Sequence, residues 1–129
     1  MSLNLSWSRP ADVSFPKVWL RFTAKDTDSD SLIEYRIQDL PEDRFEDAIK
    51  HMTEFCLKGE PIAKSLNALD ACPEFGPDFE RVWRAVLPQR MTLVCFKEGS
   101  DDIAGMHVSY VIMKDDNWGE QMDKAVGFF

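Results

Sequence analysis

The feature that most constrains this 129-residue chain is a change of hydrophobic period just after Leu40. Segments 15–23 and 32–40 alternate apolar and polar side chains, which is the period of a half-buried β-strand. Immediately afterwards, apolar residues recur every three or four positions, which is the period of an amphipathic helix. The sequence therefore predicts a β-hairpin followed by a helix over 43–58.

Both ends of this helix carry capping signals. Asp43, with Glu46 three residues later, predicts a capping box at the amino end. Lys58 followed by Gly59 predicts a left-handed glycine cap at the carboxyl end. Pro61 then fits the first position of a short second helix, so two successive helices are predicted.

The second half of the sequence predicts one more helix and two more strands. Residues 70–77 contain two prolines and a glycine and are predicted to form a loop, with a helix from Asp78 that ends at Pro88. The apolar runs 91–97 and 103–113 predict an antiparallel strand pair joined by a short turn. This order predicts an α+β fold, with a mixed or antiparallel sheet of about four strands and three helices.

The predicted domain boundaries place an extended arm at 1–14 and a single domain at 15–129. Within 114–129, a polar loop precedes a segment with helical character. The inward faces of the predicted elements supply the predicted core, which consists of Val18, Leu20, Ile37, Phe45, Ile49, Met52, Phe55, Val82, Trp83, Val94, Phe96 and Val108.

Charge and composition exclude several function classes. The chain has 23 acidic and 15 basic side chains, a net charge of −8, which repels nucleic-acid phosphates and anionic lipid surfaces. It has no apolar stretch near the roughly 18 residues that span a bilayer, and no secretory signal pattern. Its three cysteines form no CxxC pair, which argues against a disulfide framework or a zinc site. We therefore expect a cytoplasmic protein with no nucleic-acid or membrane partner.

Two further patterns receive structural interpretations. Asp26, Asp28 and Asp30 alternate as in a calcium-binding loop, but the glycine and the later glutamate of such loops are missing. A solvated hairpin loop is predicted there, and no metal site is predicted anywhere in the chain. His51 is predicted at the boundary of the first helix, whereas His107 lies on a predicted strand, where it could face a cleft.

Several segments carry a resemblance to a known family. They are residues 33–43, the long amphipathic helix, Gly-Glu-Pro-Ile at 59–62, and the hairpin 91–111 with Gly105. Together they resemble the first half of an insect arylalkylamine N-acetyltransferase of the GNAT acetyltransferase superfamily, over about residues 15–125. The resemblance implies transfer of an acetyl group from acetyl-CoA to a small-molecule amine.

The resemblance also implies a role for Glu60. In that family, the glutamate of the (Asp or Gly)-Glu-Pro-(Leu or Ile) motif is the general base, and Glu60 occupies the matching position. An amine arrives as an ammonium ion, and a carboxylate can accept its proton before the amine attacks the thioester. The alternative is an exposed helix-start carboxylate favoured by the helix dipole. The predicted substrate-binding residues are Pro61, Ile62 and His107.

One element of the family is missing from the sequence. GNAT enzymes bind the pyrophosphate of acetyl-CoA with an Arg/Gln-x-x-Gly-x-Gly/Ala loop, whereas Gly119 and Gly127 are isolated here. The 129-residue chain alone is therefore predicted to bind acetyl-CoA weakly or not at all. Two interpretations stay open: the amino-terminal part of a longer enzyme, or a short non-catalytic form. The latter would bind an amine or a protein partner, or form a homo-oligomer, through an open sheet edge.

Overall fold

The computed structural model describes residues 3–125, with Ala63 described by its backbone alone. These residues form a four-stranded sheet in the order β1-β2-β3-β4, with every neighbouring pair antiparallel. The strands are β1 (Val18–Lys25), β2 (Leu32–Asp39), β3 (Leu93–Lys97) and β4 (Ile103–His107). The predicted α+β class and both predicted hairpins are therefore confirmed.

The helices follow the predicted order but are more numerous. They are α1 (Phe45–Met52), α2 (Pro61–Ser65), α3 (Ala68–Ala71), α4 (Phe75–Val86) and α5 (Trp118–Ala125). A 3-10 turn over Glu42–Arg44 precedes α1, and a π-helical turn over Thr53–Leu57 continues it. The predicted helix over 43–58 is confirmed as this composite stretch, and the helical segment near the carboxyl end is confirmed as α5.

The predicted capping box at Asp43 and Glu46 is wrong. The 3-10 turn delays the start of α1 to Phe45, and no side chain caps that start. Glu46 instead accepts two hydrogen bonds from the Arg84 guanidinium on α4, at 2.6 and 3.0 Å. The hydrogen bond from Arg84 holds the pKa of Glu46 below its usual range.

The largest error in the predicted core is Phe55, whose side chain is 67% exposed. In the π-helical turn the hydrogen bonds run from residue i to i+5, so one extra residue shifts the phase of the apolar stripe. Leu57 becomes buried instead, whereas Phe55 and Cys56 face solvent. The sequence prediction assumed a regular 3.6-residue period as far as Lys58, and this assumption placed Phe55 on the buried side.

The observed core lies between one face of the sheet and the helices α1, α3 and α4. Its buried members are Leu40, Ala48, Ile49, Met52, Leu57, Ala68, Phe75, Trp83, Leu87, Val94 and Phe96. Five predicted core residues are thus confirmed, and Ile37, Phe45, Val82 and Val108 are half-buried. Val18 and Leu20 are exposed, contrary to prediction, because β1 is an edge strand and Leu20, the partner of Ile37, lies on the sheet face away from the helices.

Two predicted boundaries also differ from the structure. α4 begins at Phe75 and not at Asp78, because Pro77 is tolerated within the first turn of a helix. The predicted strand 103–113 ends at His107, whose partner is Leu93, the first residue of β3. Beyond that pair no strand residue lies opposite the chain.

A side chain replaces the missing strand partner after β4. The Gln89 amide donates to the Val111 carbonyl at 2.8 Å and accepts from the Val111 N–H at 2.7 Å. Gln89 is buried, so these hydrogen bonds are shielded from water. They hold the segment 108–113 along the line of β4 without extending the ladder.

Residues 3–14 have no regular secondary structure and are anchored at several points. Leu3 is buried against Ala125 of α5, and the Ser6 hydroxyl donates to the Asp116 carboxylate at 2.6 Å. Arg9 forms a buried ion pair with Asp39 at the end of β2, at 3.1 Å. Residues 1–2 of the predicted arm and 126–129 of the predicted domain lie outside the described residues.

Candidate functional site

Glu60 lies at the junction between the π-helical turn and α2, where the backbone is held on both sides. Its N–H donates to the Cys56 carbonyl at 2.8 Å, and its own carbonyl accepts from the Lys64 N–H at 2.8 Å. The residue is half-buried. The position of Glu60 is therefore set by two successive helical segments and not by a free loop.

Gly59 makes this junction possible, although not in the predicted way. Its φ is not positive, so the predicted left-handed cap is wrong. A Cβ at Gly59 would instead lie 2.7 Å from the Phe55 carbonyl oxygen, a distance that real Cβ atoms do not adopt. Only glycine allows the chain to pass this close to the π-helical turn before Glu60.

Exposed apolar side chains stand in the segments on both sides of Glu60. Pro61 and Ile62 open α2 and both are exposed, as are Phe55 before the junction and Leu66 after it. Exposed apolar side chains near a carboxylate suit a ligand with an aromatic body and a cationic end. The structure thus keeps Glu60, Pro61 and Ile62 together.

His107 is placed elsewhere. It pairs with Leu93 across β3 and β4, and its side chain is exposed. Val94, the next residue of β3, is buried under the helices, so Leu93 and His107 project from the opposite face of the sheet. The structure therefore does not bring His107 to the helical layer that carries Glu60.

A cleft of about 640 Å³ lies on that opposite face and was not predicted from the sequence. Trp7, Trp19, Met91 and Leu93 give it a mostly apolar lining. The Asp39 carboxylate within it is fully engaged, because besides the ion pair with Arg9 it accepts two further hydrogen bonds. These come from the Lys17 N–H at 2.8 Å and the Trp19 Nε1–H at 2.9 Å.

One sequence signal could have pointed to this cleft. Asp39 is the only charged residue in the alternating series that includes Ile33, Tyr35 and Ile37. A charge at such a position requires a buried partner, and Arg9 of the arm supplies it. The sequence could not identify that partner, because thirty residues separate the two side chains.

A smaller groove of about 250 Å³ separates α1 from the start of β4. His51 and Phe55 line it, with ring centroids 4.7 Å apart. Burial lowers the pKa of His51, because the charged imidazolium loses hydration there. His51 is thus a half-buried boundary residue of the first helix, as predicted.

The described residues do not fit the pyrophosphate of acetyl-CoA. The helix that follows β4 is α5, whose first turn contains a single glycine, Gly119. A Cβ at Gly119 would meet no protein atom within 4 Å, so packing does not require glycine there, and the Arg/Gln-x-x-Gly-x-Gly/Ala spacing is absent from 118–125. Within residues 3–125, no group of three or more His, Cys, Asp and Glu side chains is placed to hold a metal ion.

The fold matches a crystal structure of an insect protein assigned as arylalkylamine N-acetyltransferase 7, from the yellow fever mosquito Aedes aegypti. The TM-score is 0.73 and the sequence identity is 48% over 80% of this chain. Over the matched part, the chain is similar to an arylalkylamine N-acetyltransferase of the GNAT superfamily. The resemblance carried by the sequence is thereby confirmed.

This acetyltransferase-like chain spans 43% of the mosquito chain, less than half of its length. No family model matches it, and a search of curated proteins finds no significant match. Among residues 3–125, no helix combines the length and the apolar character needed to cross a bilayer.

Proposed function

We propose that this chain is the part of an acetyl-CoA-dependent arylalkylamine N-acetyltransferase that carries the general base, Glu60. The observation that carries the proposal is the fixed placement of Glu60 between exposed apolar residues, in a chain similar to a mosquito acetyltransferase. The proposal keeps the domain division, with residues 1–14 as an arm and 15–129 as a partial acetyltransferase domain.

The step assigned to this chain is removal of one proton. An arylalkylamine is an ammonium ion near neutral pH, and its nitrogen has no free lone pair until that proton leaves. The Glu60 carboxylate accepts it, directly or through one water molecule, and becomes a neutral carboxylic acid. The amine nitrogen then carries the lone pair needed for attack on an acetyl carbonyl carbon.

Substrate contacts in this proposal come from the same junction. Pro61 and Ile62 contact the apolar body of the amine, whereas Glu60 faces its cationic end. His107 keeps a substrate contact only if the substrate reaches around the β4 edge, since it lies on the other face of the sheet. The binding of the acetyl-CoA pyrophosphate is assigned to polypeptide outside residues 3–125.

The proposed location is the cytoplasm. The three cysteines Cys56, Cys72 and Cys95 are all free thiols. Free thiols are typical of reducing compartments, and burial raises the pKa of Cys95 further, which keeps its thiol in the unreactive form.

The test of the base is Glu60→Gln in a chimera in which this chain replaces the matched part of the mosquito acetyltransferase. Glutamine keeps the size and the backbone geometry but cannot accept a proton, so kcat/KM should fall by about 100-fold to 10,000-fold. Glu54→Gln is the matched control, because Glu54 lies in the π-helical turn and forms an exposed ion pair with Lys58.

Three measurements distinguish a general base from a structural residue at position 60. The melting temperature of the Glu60→Gln chimera should equal that of the parent, and Glu54→Gln should leave kcat/KM unchanged. A Glu60→Gln chimera that retains more than about a third of the parent kcat/KM would make Glu60 a helix-start carboxylate and nothing more.

A further inference from the structure

The π-helical turn over Thr53–Leu57 adds one residue to the helical stretch that α1 begins. Met52 and Leu57 are 6% and 3% exposed and belong to the same buried cluster, although they lie five positions apart. In a regular α-helix, residues that share a face are three or four positions apart. The wider turn therefore keeps Leu57 in the core and leaves Phe55 and Cys56 in solvent.

The π-helical turn also fixes where Glu60 lies. The Glu60 N–H donates to the Cys56 carbonyl at 2.8 Å, so the backbone of Glu60 is attached to the turn itself. A Cβ at Gly59 would lie 2.7 Å from the Phe55 carbonyl oxygen, a backbone atom that no side-chain rotation can move aside. Any other residue at position 59 must therefore displace the turn or the junction, and Glu60 moves with either.

The sequence of this stretch also fits a second helical register. Phe55 and Cys56 follow Met52 at spacings of three and four, so a regular α-helix would bury both and turn Leu57 outward. Each residue of an α-helix rotates the chain by about 100°. A change from the π-helical to the α-helical register would therefore turn the following residues by about 100° around the helix axis, and the Glu60 carboxylate with them.

We propose that Gly59 is a positioning residue, which holds the π-helical register and thereby sets the direction of the Glu60 carboxylate. Gly59 has no side chain to contact a substrate, so it acts only through the backbone. A base displaced by about 1 Å loses much of its effect, because proton transfer requires hydrogen-bond contact. The proposal rests on the assignment of Glu60 as the general base, but the register is tested separately from activity.

Cys56 reports the register, because its side chain is exposed in the π-helical turn and would be buried in the α-helical register. In the free 129-residue chain, Gly59→Ala should slow the alkylation of Cys56 by iodoacetamide by at least about tenfold. Mass spectrometry of the labelled peptides measures this rate, with the half-buried Cys72 and Cys95 as internal references. Gly119→Ala is the matched control and should leave the rate unchanged, because a Cβ there meets no protein atom within 4 Å.

The catalytic consequence is measured in the chimera described above, at a temperature where circular dichroism shows every variant to be folded. Gly59→Ala should lower kcat by about tenfold to 100-fold, because the carboxylate is misplaced but still present. The pH dependence of kcat should keep the apparent pKa of the parent chimera, whereas Glu60→Gln should lose or shift it. Gly119→Ala should leave both quantities unchanged.

Deletion of Cys56 supplies a rescue. It removes one residue from the turn, so Leu57 would follow Met52 by four positions and stay buried in a regular α-helix. Glu60 then recovers its direction, and the close approach that excludes a Cβ at Gly59 disappears. The chimera that combines this deletion with Gly59→Ala should recover kcat to within about threefold of the parent. The rescue also applies if Gly59→Ala alone does not fold.

Three results would overturn the proposal. The first is a Gly59→Ala chain in which Cys56 stays as reactive as in the parent. The second is a Gly59→Ala chimera with the parent kcat, although Glu60→Gln removes activity. The third is a combined deletion variant that stays inactive. Failure of the proposed function is distinct, because it is measured with Glu60→Gln alone, and the alkylation of Cys56 does not depend on it.

Discussion

The two faces of the sheet are stabilised differently: the covered face carries Val94 and Phe96 under the helices, and the open face, on the other side, carries Leu20, Phe22 and Cys95. On the covered face, Val94 and Phe96 belong to one buried apolar cluster with Ile49, Met52 and Trp83. On the open face, the link between the arm and the sheet is polar, the buried ion pair between Arg9 and Asp39. Helices supply the apolar contacts on one side, whereas a single irregular arm ties down the other.

Truncation on the covered face should have the largest effect. Phe96 is 2% exposed, and its ring also lies under the guanidinium groups of Arg36 and Arg44, at 4.8 and 5.2 Å. Phe96→Ala should lower the free energy of unfolding by about 3 to 5 kcal/mol, from lost transfer energy and the cavity left behind. Phe22→Ala on the open face is the matched control and should cost about 1 kcal/mol or less in the free chain. Urea denaturation of both variants measures the contrast, and equal costs would remove it.

Breaking the polar link of the open face should come next. Asp39→Asn leaves the Arg9 guanidinium buried without its counter-charge and should cost about 3 kcal/mol. Only one of the hydrogen bonds from the Lys17 N–H and the Trp19 indole can persist, because they end on different carboxylate oxygens and asparagine keeps a single acceptor oxygen. Asp28→Asn, in the exposed turn between β1 and β2, should change stability by less than about 0.5 kcal/mol. A cost for Asp39→Asn as small as that of Asp28→Asn would show that the arm does not hold the open face.

The π-helical turn ends the helix α1 that packs on the covered face, and Phe55 tests whether the apolar stripe of that helix continues through the turn. A buried Phe55, as the sequence predicts, would make Phe55→Ala cost about 3 to 5 kcal/mol. Because the side chain is exposed, we expect a cost under about 1 kcal/mol, whereas Leu57→Ala should cost about 2 to 5 kcal/mol. Thermal unfolding of the two variants decides between a regular helix and the π-helical turn.

The smallest expected effect is the contribution of His51 to the pH dependence of the free energy of unfolding. Its pKa is lowered in the folded chain from the ordinary value of 6.5, so the unfolded chain binds more protons between the two values. Stability associated with His51 is therefore present above about pH 6.5 and is lost as the pH falls through that window. His51→Gln should lose less stability than the parent between about pH 7 and pH 5.5. Identical pH profiles for the two proteins would contradict this assignment.

The candidate site was accessible to sequence reasoning only in part. The Gly-Glu-Pro-Ile segment at 59–62 predicted Glu60, Pro61 and Ile62 as site residues, and these three lie together because they are adjacent in the chain. His107 is remote from them in sequence, and only strand register shows that it projects from the other face. The cleft between the arm and the sheet escaped prediction for the same reason, since Arg9 and Asp39 meet only in the folded chain.

The sequence by itself determined the order of elements, both hairpins and the first amphipathic helix, because periodicity and turn residues are local properties. It also carried the family resemblance, since that depends on short motifs in a fixed order. Tertiary structure alone decided which sheet face the helices cover, how the π-helical turn exposes Phe55, and where β4 stops. Those outcomes depend on which surfaces compete for burial, and alternation on a strand specifies two faces without saying which one is covered.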